Sequence, residues 1–314
     1  MTDAAGPTPL PTAVTASGRG GSIYDLGYRR YEGPRLGRAF AVRSLTIDSF
    51  RTAYGIGHGG RAKIAPVVLG ALATLPAVVV LGVLTLATRL GAREQLEAAT
   101  PIGYDTYYRS IDAIIALFCA AQAPELLSRD QRHGVLALYF ARALRRSDYA
   151  VARISGFALA LLLLLLLPVT ILFFGRVLLA TDVVTAIGDD LPKLPAVLAQ
   201  AIVITALFGS VAMAVSAFTP RRAYATAGII ALFVLPGVIA NAVIAQGSGA
   251  LGIILVLLSP GTILDGTSAL FFGTGLPETL FFFDLPIWTF LLSAILVTLV
   301  AVLMTIRRFV RITT

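Results

Sequence analysis

Long apolar stretches alternate with short polar ones along this chain, and the apolar stretches are continuous rather than alternating residue by residue. Six of them, at 66–88, 110–127, 155–174, 196–218, 224–245 and 286–306, approach the ~20 residues that an α-helix needs to cross the hydrocarbon core of a bilayer. Their continuity excludes a membrane β-barrel, whose strands alternate apolar and polar positions. A shorter run at 251–258 ends in Ser259-Pro260-Gly261. It is too short to span alone and predicts a re-entrant or interfacial helix before the last span. Turn residues then separate the aromatic pair Phe271-Phe272 from the phenylalanines at 281–283, which predicts a re-entrant outer region over 247–285. The pattern reads as an all-α integral membrane protein with six transmembrane helices, or seven if the short run crosses.

Ahead of the first span a different periodicity occurs. From Leu36 onward Phe40, Ile47, Phe50 and Tyr54 fall close to one helical face, with Arg35, Arg38, Arg43 and Arg51 largely elsewhere. This predicts an amphipathic elbow helix lying along the membrane surface, its arginines meeting anionic headgroups. The alternative is an ordinary helix packed on the protein's own loops. Gly55, Gly57, Gly59 and Gly60 follow and suit a hinge into the first span. They are no phosphate cradle, since neither a preceding apolar strand nor a closing Gly-Lys-Ser/Thr is present. Residues 1–22 are small, polar and rich in Pro and Gly, with no apolar centre of the signal-peptide kind, and are expected to be disordered and retained. The organisation expected is a tail over 1–22, an elbow segment over 23–65 and a transmembrane domain over 66–314.

Composition agrees: 57% of residues are hydrophobic and 13% charged, against about 25% charged in a soluble domain. The six-span layout puts twenty of the twenty-five Lys and Arg residues on one side, and ten of the seventeen acidic residues on the other. Basic loops stay on the cytoplasmic side, so both termini are expected there, in a multi-pass protein of the cell membrane. Because the arginines cluster at membrane ends, the basic balance does not describe a nucleic-acid binder. Cys119 lies inside a span and is the single cysteine, so no intrachain disulfide forms. His58 and His133 lack the neighbours that a metal site requires.

The richest segment is the loop 124–153, PELLSRDQRHGVLALYFARALRRSDYAVAR. Asp130 to Gly134 reads as a turn. Beyond it Val135, Leu138, Tyr139, Arg142 and Arg146 recur at helical spacing, predicting a short cytoplasmic helix.

This loop resembles the one between the second and third spans in permease subunits of ATP-binding-cassette exporters of the type 2 membrane class. The matching positions are Pro124-Glu125, Arg129-Asp130, Gly134 and Leu136, Tyr139-Phe140, Arg142, and Arg146 with Tyr149. The segment YDLGYRRYEGPRLGR is also similar to a form common in actinobacterial members. The chain departs from the family at Ala141 and Ala143, where many relatives carry a Pro soon after the Arg, so the helix is expected to continue further here. The resemblance implies a loop helix that docks on a separate ATPase subunit, with Glu125, Asp130, Gly134, Leu136, Tyr139, Phe140, Arg142, Arg146 and Tyr149 as coupling residues. It further implies pairing with a second permease copy or a related permease. No cofactor is expected on this chain, with ATP and Mg on the partner, and the chain itself is expected not to be an enzyme.

Polar groups inside the spans are few. Asp112 is expected to pair with Arg109 near the outer headgroups, while Asn241 and Gln122 are candidates for a translocation path and Gln200 lies in the fourth span. A carrier or channel driven by an ion gradient is the alternative function, and the scarcity of ionisable groups at mid-bilayer speaks against it.

Overall fold

The computed structural model describes residues 33, 36–57, 59–91, 103–141, 144–180, 182–245, 250–277, 280 and 285–311. The tail over 1–22, Arg35, His58, Arg142 and the phenylalanines at 281–283 lie outside these, as do the side chain of Asn241 and parts of the 247–285 region. Every described regular element is helical. Five helices are long and apolar enough to cross a membrane, and there are up to seven spans if each of two bent pairs counts as one.

The first helix, α1 (Gly37–Ala53), ends in a turn at Gly55 and leads to α2 (Gly60–Arg89). Gly55 has φ +66°, and a Cβ there would stand 2.7 Å from the backbone of Ala62, so this turn requires glycine for both conformation and space. The first bent pair follows: α3 (Tyr104–Ser110) and α4 (Asp112–Leu126), the latter continuing into the short α5 (Ser128–Arg132), with a 49° bend at Ile111. After α6 (Leu136–Phe140) comes the longest element, α7 (Arg146–Leu178). At 33 residues it is about 50 Å long, against a hydrocarbon core of about 30 Å. Its opening turns therefore project beyond the apolar run that begins near Ser155.

Helix α8 (Val183–Asp190) is capped by Asp182, whose carboxylate accepts from the backbone N–H of Val184 and Thr185. The hydrogen bond from the Thr185 hydroxyl, together with these two, holds Asp182 below the usual carboxylate range. A 3₁₀ turn joins it to α9 (Leu194–Phe218), and α10 (Arg222–Ala245) follows. The second bent pair is α11 (Ala250–Leu258) and α12 (Pro260–Phe272), which meet at 76°. The break has a local cause: a residue before proline is pushed from helical to extended backbone, and Ser259 sits at φ −77°, ψ 119°. The last described helix is α13 (Trp288–Val310).

Packing centres on α7 and α9. Phe118 of α4 stacks on Phe157 of α7 at 6.2 Å, and Phe208 of α9 meets Phe233 of α10 at 4.8 Å. Much of the apolar surface of α2, α10 and α13 is exposed, including Leu75, Val78, Leu235 and Leu299, as expected of helix faces that meet lipid. Polar side chains tie helices together inside: Tyr107 donates to the Ala73 carbonyl at 2.6 Å, Thr226 to that of Ala120 at 2.8 Å, and Gln200 to that of Leu264 at 3.1 Å. Tyr107→Phe removes the first of these from a fully buried site and is expected to lower stability by about 1 kcal/mol. A thermal-unfolding scan in detergent checks this, and an unchanged midpoint would show the hydroxyl to be dispensable.

Three sequence expectations are corrected. Phe50 and Tyr54 pack inward, Tyr54 against Phe118 at 6.0 Å, whereas Phe40 and Ile47 are exposed. The inward face of α1 is instead built on Leu45, Ser49 and Ala53, and the last two are small enough to let it lie closely on α7. Second, α6 does not continue: it stops at Phe140, and Arg146 begins α7 after an extended Arg145 at ψ 154°. Third, the Arg109 guanidinium pairs with Asp265 of α12 rather than with Asp112. The bend at Ile111 turns Arg109 toward α12, and Asp112 remains beside both charged groups.

Candidate functional site

The loop between the second and third apolar runs folds as two one-turn helices, α5 and α6, joined through Gly134 at φ +66°. That left-handed residue ends α5 with the N–H of Val135 on the Asp130 carbonyl, a reversal that favours glycine. The predicted turn over Asp130 to Gly134 is thus half helix and half turn.

At the centre of the fold-back lies Arg153, with only 4% of its side chain exposed. Its Nη2 donates to Asp130 Oδ2 at 2.6 Å and to the Tyr139 hydroxyl at 3.1 Å, and its Nη1 donates to Ser49 Oγ at 3.1 Å and reaches Asp48 at 3.4 Å. The guanidinium lies over the rings of Tyr139 and Tyr149, 5.6 and 5.5 Å from their centroids. Tyr149 donates its hydroxyl to the same Asp130 oxygen at 2.7 Å. One buried cation therefore joins α1, α5, α6 and α7. Burial, offset by Arg153, also pushes the Tyr139 hydroxyl above its ordinary pKa.

A second clamp holds α1 farther out. Arg38 forms a two-point pair with Asp148, both contacts at 2.6 Å, and Asp148 also accepts from the backbone N–H of Arg145 at 3.1 Å. The carboxylate raises the pKa of the Arg38 guanidinium. Arg146 lies over Phe140 at 5.6 Å and donates to the Val310 carbonyl at 3.3 Å, joining the loop to the end of α13. Tyr149 adds an edge contact with Phe309 at 5.1 Å.

The loop residues named from the sequence thus divide by position. Asp130, Leu136 and Tyr149 face inward, and Tyr139 and Phe140 are half-buried with their polar or aromatic groups turned to the cluster. Glu125 pairs with Arg129 at 3.8 Å and with Arg222 at the start of α10. Gly134 is exposed, together with Arg132, His133, Ala137 and Leu138, the last 69% exposed. Behind this tip a cleft of about 430 Å³ opens between α1 and the loop, with Asp48, His133, Leu138 and Tyr139 around it and Arg153 in its lining. On α1, Arg43, Arg51, Phe40 and Ile47 are exposed. Gln122 is buried and borders a cleft with Arg61, Arg129 and Arg222, while Asn241 lies on α10.

Sequence reasoning missed Arg153, Asp48 and Ser49 as members of one cluster, and the Asp148 clamp on Arg38. The available signal was the spacing of Tyr149 and Arg153, four apart at the foot of an apolar run, where an unpaired charge is costly. No family model matches the chain and no curated protein matches its sequence.

Proposed function

We propose that this chain is the transmembrane permease subunit of an ATP-binding-cassette exporter, driven by ATP hydrolysis on a separate nucleotide-binding subunit that docks on the loop from Ser128 to Phe140. The observation that carries this reading is the pairing of an exposed tip, Arg132, His133, Ala137 and Leu138, with a buried cluster that fastens the loop to α1, α7 and α13. A loop held in this way transmits displacement instead of absorbing it, and a coupling element needs that property. Leu138 is the apolar anchor of the contact, and Arg132 with the neighbouring arginines supplies charge for carboxylates on the partner. The loop side is cytoplasmic in this reading, with the permease working as a pair.

Leu138→Glu combined with Ala137→Glu alters only exposed positions and is expected to abolish co-purification with the ATPase partner, while membrane insertion and thermal stability stay as in the parent. Retained co-purification and ATP-dependent export would overturn the docking assignment. Transport by the chain alone in proteoliposomes, driven by an imposed proton or sodium gradient, would favour the carrier reading instead.

A further inference from the structure

A cavity of about 1180 Å³ lies between α4 and α10, with Arg132 of the loop helix α5 in its lining. Its two walls are joined by the hydrogen bond from Thr226 to the Ala120 carbonyl, so the groove is formed by the resting fold. The floor is apolar, with Leu117 and Ala121 facing Ala227 and Ile230. The rim carries Arg132, Arg221 and Arg222. Arg222 is engaged by Glu125, whereas Arg132 and Arg221 are exposed and have no carboxylate partner among the described residues; Arg221 lies over the Tyr224 ring at 5.9 Å.

These features select an occupant. A wholly apolar chain would leave two guanidinium groups unanswered, and a small anion would leave the alanine-lined floor unfilled. From Arg222 to Ile230 the wall runs about 12 Å along the helix axis, room for the upper part of an acyl chain beneath a headgroup. We propose that this groove binds one anionic phospholipid, its phosphate between Arg132 and Arg221 and an acyl chain along Ala121, Ala227 and Ile230. Charge complementarity at the rim discriminates against zwitterionic lipid, since each arginine near the surface adds attraction for an anionic headgroup. Arg132 also belongs to the docking tip, so lipid retention is read on the chain without an ATPase partner, where failure of the docking reading leaves it unchanged.

The test uses the full-length protein in detergent and in nanodiscs. Native mass spectrometry is expected to find one phosphatidylglycerol retained in preference to phosphatidylcholine, and Arg132→Gln with Arg221→Gln is expected to weaken that retention by about tenfold or more. Location is read separately by placing the single tryptophan in the groove, Leu117→Trp in a Trp288→Phe background. Brominated phosphatidylglycerol should quench its fluorescence at lower mole fraction than brominated phosphatidylcholine, and the two arginine substitutions should remove the difference. Equal retention or equal quenching by the two lipids in the parent protein would overturn the proposal. So would full displacement of the lipid by glycerol phosphate, which would make the acyl chain irrelevant. A third overturning result is protection of the groove tryptophan that tracks protein dimerisation and ignores lipid composition, the signature of a second copy as occupant.

Discussion

Arg153→Met is expected to destabilise the protein by about 3–5 kcal/mol, the range found when one partner of a buried ion pair is removed and the other charge is left behind. The stranded group is Asp130, whose side chain is only 13% exposed and which would keep the Tyr149 hydroxyl as a partner. Methionine fills much of the space, so loss of charge rather than a void governs the effect. A double substitution separates the two: Asp130→Asn with Arg153→Met removes both charges and should recover a large part of the loss. Unfolding midpoints of the parent, Arg153→Met, Asp130→Asn and the double variant in one detergent provide the measurement. Equal midpoints for the parent and Arg153→Met would mean that the cluster is ornamental, and the loop would then owe its position to apolar packing alone. Hydrogen exchange should in addition rise in α5 and α6 together, because both lose the same anchor.

Gly156→Leu is the second large effect. A Cβ at this position would collide with that of Ser49 and stand 2.5 Å from the Thr46 carbonyl oxygen and 3.2 Å from the Phe50 nitrogen. Backbone cannot yield as a side-chain tip can, so α1 must lift from α7. Overpacking of this kind costs about 1–3 kcal/mol or more, and here it also breaks the bonds that cross the interface, including Arg153 to Ser49 and Tyr54 to the Ala160 carbonyl at 2.9 Å. The expected readout is faster hydrogen exchange confined to α1, with α9 and α13 unaffected. Gly156→Ala should give the same pattern more weakly. An unchanged α1 in the leucine variant would show that the two helices are not in contact in solution.

The sequence was legible where one physical signal dominates. Each of the long apolar runs lies within a helix or a bent helix pair, the last apart from its first two residues, because a segment exposed to hydrocarbon must satisfy its own backbone. Helix ends were harder to read: α7 starts at Arg146, well before the apolar run, since its first turns are fixed by Asp148 on Arg38 and Arg145 and by Tyr149 on Asp130. Arg38 and Asp130 come from other segments, and no local pattern displays those contacts; only the Arg145–Asp148 cap is local. The same limit concealed Arg153. Read locally it is one more arginine in a basic loop, and its burial exists only because Asp130 and Ser49 arrive from different helices. The face of α1 was misread for a related reason. Phe40, Ile47, Phe50 and Tyr54 read as one face turned to the membrane surface, but Phe50 and Tyr54 pack on the protein, and the close helix contact at Gly156 is made by the small Ser49 and Ala53.

Attachment of α1 at three points along α7, through Arg38, Ser49 and Tyr54, makes the pair a crank. With 17 residues, α1 is an arm of about 25 Å. Because Arg38 fastens one end of that arm to α7 and Tyr54 the other, a tilt of α7 would carry α1 with it as one body. The exposed Phe40 and Arg43 would then move in step with the buried cluster at Arg153, so a displacement at one end of α1 would be passed to the other.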